Sequence, residues 1–193
     1  PLNHHTKYLG MVPNPVNIDK LSYQPLSIDS KIRIFHGVNA ISSIRKGSDL
    51  FNEALKRLEH QYDYKIDIET TESLPYETYI QSYNKAHIIL DQVYSYDQGY
   101  NALEAMAKGK VVFTGAEQEW LDYYKLDPDT VAINALPEVD YLFNKMEWLI
   151  GNPEKLEQIS KNAREFIEQV HDYKKVAKQY VTIWSESKKS EKQ

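Results

Sequence analysis

Three groups of residues have types and spacings suited to chemistry. The first is Glu104, a lone carboxylate among Ala102, Leu103, Ala105, Met106 and Ala107 in the stretch YDQGYNALEAMAKGKVVFTG, residues 96–115. A carboxylate can accept hydrogen bonds from the two neighbouring hydroxyls of a ribose, and negative charge is favoured near the start of a helix. Among small apolar residues it would be expensive to bury unpaired, so a buried cation or backbone amide is the competing partner. The second group is Arg45, Lys46 and Gly47, directly ahead of a helix signal. Cations there, with helix-start amides and a glycine that lets backbone approach closely, suit a diphosphate. A dibasic pair in such a place is also commonly just solvated. The third is Gly99, Tyr100 and Asn101, a helix entry whose free amides suit a pyrophosphate or sugar, unless the glycine serves turn geometry alone. Tyr96, Asp97 and Gln98 carry groups that match sugar hydroxyls.

Six histidines raise the question of a metal. His4 and His5 are adjacent and lack the helical spacing that sets two rings on one face, so no metal site is expected. His36 ends the first strand candidate, where it either meets a ligand or fills the turn. Ser73, Leu74 and Pro75 read as a helix cap with a hydrophobic staple, and Tyr76, Tyr79 and Tyr83 recur at helical spacing as packing residues.

The elements that must position these groups alternate regularly from Lys31 onward. KIRIFHGV (31–38), YKIDIET (64–70), HIILDQVY (87–94), KVVFTG (110–115) and TVAINA (130–135) read as strands. Helices are expected over 48–61, 73–86, 99–108, 117–125, 138–151, 153–171 and 173–187. This alternation predicts an α/β domain with a parallel sheet, and such sheets bind ligands beyond the carboxyl ends of their strands. All three groups fall there. Residues 1–30, with prolines at 1, 13, 15 and 25, read as a linker or lead-in. The body of the domain is assigned to 31–172, with a final helix and frayed tail over 173–193.

The totals narrow the function classes. The chain has 193 residues, 41% of them hydrophobic, enough for one substantial core. It has no cysteine, so disulfides and thiolate metal sites are excluded. A net charge of −5 implies no broad basic surface for nucleic acid, yet leaves room for a local cationic site. No apolar run approaches the ~20 residues of a membrane span. A start at Pro1 reads as a piece of something longer.

On these residues the chain resembles the C-terminal, donor-binding half of a retaining GT-B glycosyltransferase, of the group 1 family that includes many bacterial polysaccharide enzymes. VPNPVN (12–17) is similar to the linker entering that half, and IRKGSDLFNEAL (44–55) to a segment whose lysine contacts the donor diphosphate. YDQGYNALEAMAKGKVVFTG resembles the family's EGFG…LEAMACGKPV segment, and residues 152–180 resemble its closing helices. The resemblance implies a Rossmann-like sheet flanked by helices, and a cytoplasmic enzyme, in part at the inner face of the membrane through its other half. It implies hexosyl-type transfer from a nucleotide-diphospho-sugar to a glycan or lipid-linked saccharide, with no metal or other cofactor. Acceptor binding would fall to a missing N-terminal domain, so this chain would bind donor without turnover. Lys46 and Arg45 are then expected to stabilise the leaving diphosphate. Glu104 is expected to hold the ribose; Ser73 and Leu74, the base; Gly99, Tyr100, Asn101, Gln98 and His36, the rest of the donor. Two departures stand out. Tyr96 occupies the place of the family's first, sugar-associated glutamate, and Val38 the place of a diphosphate-facing arginine. A non-catalytic, nucleotide-binding or scaffold member of the same fold is the alternative reading.

Overall fold

The computed structural model describes residues 8–39, 41–72 and 76–190. In chain order its elements are Ile32–Val38 (β1), Ser43–Lys46 (α1), Ser48–Tyr62 (α2), Ile66–Glu72 (β2), Tyr76–Lys85 (α3), Ile88–Leu90 (β3), Tyr100–Ala107 (α4), Val111–Thr114 (β4), Gln118–Tyr124 (α5), Ile133–Asn134 (β5), Val139–Gly151 (α6), Pro153–Phe166 (α7) and Tyr173–Ser190 (α8). The strands form one all-parallel sheet in the order β2-β1-β3-β4-β5. The predicted α/β class is the observed one.

Side chains alternate across the sheet, as the two-residue period of a strand requires. Ile32, Ile34, Ile88, Leu90, Val111 and Phe113 face one layer, where Phe51, Leu55 and Leu58 of α2 meet Leu142, Met146 and Leu149 of α6. Phe35, Ile89 and Val112 face the other, against Leu103 and Met106 of α4 and Ala163 and Phe166 of α7. The alanines of α4 let α7 approach closely. The Arg164 guanidinium then donates to the Ala107 carbonyl at 2.7 Å, and the Ser160 hydroxyl to the Gly109 carbonyl at 2.7 Å.

Several boundaries differ from the sequence expectation. β3 stops at Leu90 rather than Tyr94, because the chain then turns so that the Val93 amide donates to the Lys46 carbonyl at 2.9 Å. The loop after β1 contains the additional short helix α1. The helix expected over 153–171 widens into a π turn at Ile167–His171, and the last helix continues to Ser190, past the expected start of a frayed tail. The lead-in is docked where it is described. Val16 is buried and bridges Asp172, and the Leu21 carbonyl accepts from Arg164 at 2.8 Å. Gly109, at φ +81°, lies under this segment; a Cβ there would meet the Tyr23 ring at 2.6 Å.

Candidate functional site

At the carboxyl ends of β1, β3 and β4 the chain gathers its conspicuous polar groups around Asp91. This carboxylate, 4% exposed, immediately follows β3. Its Oδ1 accepts from Lys46 Nζ at 2.9 Å and from Asn101 Nδ2 at 3.0 Å, while Oδ2 accepts from the Thr114 hydroxyl at 3.3 Å. Four elements, α1, β3, α4 and β4, are thereby tied to one buried anion. A buried carboxylate is tolerated only when it is paired and hydrogen-bonded, and all three donors meet that requirement. The Lys46 side chain keeps 26% of its surface exposed, so its ammonium is fixed at the edge of the cleft rather than sealed inside.

Local backbone explains how Lys46 gets there. Gly47 sits at φ +68°, ending α1 and serving as the residue before α2. That left-handed conformation is strained for any side chain, and a Cβ there would also meet Val93 Cβ at 2.8 Å. Turn and close approach together require glycine. No side chain caps the start of α2, and none caps the start of α4. Their first amides thus remain donors at the positive ends of two helices. Gly99, ahead of α4, differs from Gly47: at φ −80° and ψ 172° it is ordinary extended backbone, and an added Cβ would find only Gln92 Nε2, at 3.8 Å.

The other sequence-nominated residues divide. Tyr100 is exposed, and Asn101 spans the cleft floor, its Oδ1 accepting from the Tyr79 hydroxyl at 3.2 Å. Glu104 is exposed, and no side-chain hydrogen bond or ion pair engages it among the described residues. The burial that its small apolar neighbours led one to expect does not occur: the helix turns this one position to solvent, so no desolvation cost arises. Arg45 is likewise exposed. Gln98 is 4% exposed, and its Nε2 donates to the Gly115 carbonyl at 2.6 Å, which makes it a clamp between two loops rather than a group presented to a ligand. Gly115 belongs to the same joint, since a Cβ there would collide with the Ser95 carbonyl. His36 is 1% exposed, edge-on to Phe51 and bonded through Nδ1 to Asn52 Oδ1 at 3.0 Å. Burial, with Lys46 adding to it, lowers its pKa to about 4. Its ring is therefore a neutral packing element, not a cation facing phosphates. Ser73 and Leu74 lie outside the described residues. Tyr96 is 78% exposed, and Tyr94 and Tyr100 are exposed as well.

Sequence reasoning missed Asp91 and Thr114. Asp91 was read as part of a buried strand; a carboxylate ending an otherwise apolar run was the available signal. Among the described residues no three His, Asp or Glu side chains gather as metal ligands, and no helix is long and apolar enough to cross a membrane.

Fold and site together define a class: a Rossmann-like α/β domain with a polar cleft at the carboxyl ends of its parallel strands. More specifically, the chain belongs to the glycosyl transferase-like family, whose model matches residues 38–182. Solved structures carry the same fold. Sucrose-phosphate synthase from Thermosynechococcus elongatus aligns with a TM-score of 0.64 at 18% identity, over 93% of this chain and 52% of that one. HepE of Anabaena, solved in complex with UDP, aligns with a TM-score of 0.65 at 16% identity, over 91% of this chain and 57% of its own. The C-terminal domain of the group 1 glycosyl transferase LpcC from Francisella tularensis aligns with a TM-score of 0.60 at 16% identity, over 81% of this chain and 98% of that domain. The fold is thus that of the C-terminal half of GT-B glycosyltransferases, and the chain spans about half the length of sucrose-phosphate synthase and HepE. No curated protein sequence matches the chain.

Proposed function

We propose that this domain binds the nucleotide-diphospho-sugar donor of a retaining glycosyltransferase in the cleft above Asp91. The observation that carries the reading is the convergence of Lys46 with two uncapped helix starts, beside a glycine that neither backbone strain nor packing requires. A diphosphate placed there would meet the Lys46 ammonium and the first amides of α2 and α4. As the bond between sugar and diphosphate breaks, negative charge grows on the leaving oxygen, and fixed donors lower the energy of that state. Asp91 holds Lys46 in place, so little reorganisation is needed. Arg45 lies next along the chain as a second cation. Glu104 faces solvent with no side-chain hydrogen bond or ion pair among the described residues, its charge felt by Lys108 one turn along, and is available to the ribose hydroxyls.

Complexes of HepE with UDP and with UDP-glucose make UDP the first nucleotide to try. Hexosyl transfer, a glycan or lipid-linked acceptor held by an N-terminal domain, polysaccharide biosynthesis and a cytoplasmic location at the membrane's inner face complete the proposal. The diphosphate charge is met in this scheme by side chains and amides, without a metal. Calorimetric titration of the domain with UDP, GDP and ADP tests it. One nucleotide should bind, and Lys46→Ala and Glu104→Ala should each weaken it while the fold persists. Failure of all three to bind, both to this domain and to the full-length protein, would overturn the reading.

One observation favours a second reading. Tyr96 stands, exposed, where the resemblance places a sugar-associated glutamate. A member that binds nucleotide without transferring sugar would show tight UDP binding but no turnover of UDP-sugars in the full-length protein.

A further inference from the structure

A cationic site lies at the opposite end of the sheet. Arg33 is the second residue of β1, His87 immediately precedes β3 and Lys110 immediately precedes β4. Because the sheet is parallel, all three gather at its amino edge. With Lys85, at the end of α3, they line a hollow of about 240 Å³ whose outer wall is the lead-in segment 24–29. Strand lengths separate it by roughly 10 Å or more from the cleft above Asp91.

Positive charge here exceeds the negative charge set against it: Asp29 acts on His87 and Glu104 on Lys108, both without forming an ion pair. Among the described residues no ion pair involves Arg33, Lys85, Lys108 or Lys110. Asp29 is the one carboxylate lining the hollow, and it accepts from the Ser27 hydroxyl at 3.1 Å. Nearby Asp67 is paired with Lys31, and Glu69 accepts from Ser82. Lys110 is only 6% exposed, an unusual degree of burial for an ammonium without a carboxylate. Its Nζ donates once, to the Asn84 carbonyl at 2.7 Å, and Lys108 Nζ donates to Asn84 Oδ1 at 2.7 Å. The Arg33 guanidinium donates through Nε to the Lys85 carbonyl at 2.6 Å; its Nη2 lies 2.6 Å from His87 Nε2, and the Arg33 backbone amide 3.2 Å from His87 Nδ1. Its Nη1 and the remaining N–H groups of Lys110 meet no protein acceptor among the described residues. Burial, with Lys108 and Arg33 beside it, lowers the Lys110 pKa to about 8. Burial and then Arg33 and Lys110, against the opposing charge of Asp29, bring His87 to about 4, so its neutral ring accepts from one Arg33 N–H and orients that residue.

Convergent donors, a buried ammonium that forms no ion pair among the described residues and a hollow large enough for several waters are the features of an oxyanion site. We propose that this hollow binds a compact phosphate group, held by Arg33, Lys110 and Lys85, at a site separate from the cleft above Asp91. The group arrives either as free phosphate or on a lipid headgroup.

Inorganic phosphate, titrated at constant ionic strength against chloride into ¹⁵N-labelled protein, tests this through amide chemical shifts. The expected result is saturable shifts at Arg33, His87 and Lys110. Arg33→Gln and the solvent-facing Lys85→Ala should each weaken that binding, the first by about tenfold or more, with Lys46→Ala leaving it unchanged. Co-sedimentation with phosphatidylglycerol vesicles but not phosphatidylcholine vesicles, lost in Lys85→Ala, would identify the headgroup as the source. Its absence alongside saturable phosphate binding would identify the free anion. Shifts that never saturate, that are confined to residues 46–48 and 99–101, or that persist unchanged in both Arg33→Gln and Lys85→Ala would overturn the proposal.

Discussion

Gly99→Ala separates a glycine kept for the chain's own geometry from one kept for a ligand. The backbone at φ −80°, ψ 172° accommodates alanine, and the new Cβ would sit 3.8 Å from Gln92 Nε2, an ordinary van der Waals contact. Two small stability terms then oppose each other. Alanine is a poorer residue than glycine before a helix, by about 1 kcal/mol. It also restricts the unfolded chain, returning ~0.4–1 kcal/mol. The net change in unfolding free energy should stay within about 1 kcal/mol, read from urea denaturation with an unchanged slope. Binding should respond differently. A methyl group over the start of α4 would push a diphosphate away from the uncapped amides. Losing one charge-assisted hydrogen bond, ~1.5–3 kcal/mol, weakens UDP by about tenfold or more in a calorimetric titration. Gly47→Ala is the contrast: φ +68° and the Val93 contact make it lose stability and binding together. If Gly99→Ala bound UDP as tightly as the parent while Lys46→Ala did not, the phosphates would not approach the α4 start. A stability loss beyond ~2 kcal/mol would instead refute the steric argument.

Other expectations follow from the same geometry. Asp91→Ala leaves the buried Thr114 hydroxyl, the Asn101 amide and Lys46 without their shared acceptor, so it should destabilise the domain by about 3–5 kcal/mol; Asp91→Asn, which keeps an acceptor, should cost clearly less in the same urea series. Gly115→Ala drives a methyl into the Ser95 carbonyl and should cost ~1–3 kcal/mol by the same measurement. Burial lowers His36 and His87 from 6.5 to about 4, so between those values the unfolded chain binds more protons than the folded one. Their contribution is complete above pH 6.5 and is lost as pH falls toward 4. Each ring should account for roughly 2 kcal/mol of the loss between pH 7 and pH 5, and a His36→Asn variant that kept the full pH slope would count against the assignment.

The parts of the protein that local chemistry decides could be read from the chain directly. Alternation of apolar runs and amphipathic stretches predicted the parallel α/β fold, and Gly47, read as a glycine that lets backbone approach closely, does lie against Val93. Lys46 could be singled out because the glycine and helix start that position it are its immediate neighbours. Glu104 was correctly placed on its helix but wrongly taken as a burial problem. Small residues surround it on both sides, so composition alone did not reveal which face of α4 meets solvent. Asp91 and Thr114 gave little warning, because their meaning depends on which strands become neighbours. The order β2-β1-β3-β4-β5 sets β1 beside β3 although β2 lies between them in sequence. Only that crossover brings Lys46 to Asp91, and Arg33 to His87 at the other edge. A turn or helix start is determined within a few residues, whereas a hydrogen bond between strand ends exists only once the sheet order is set.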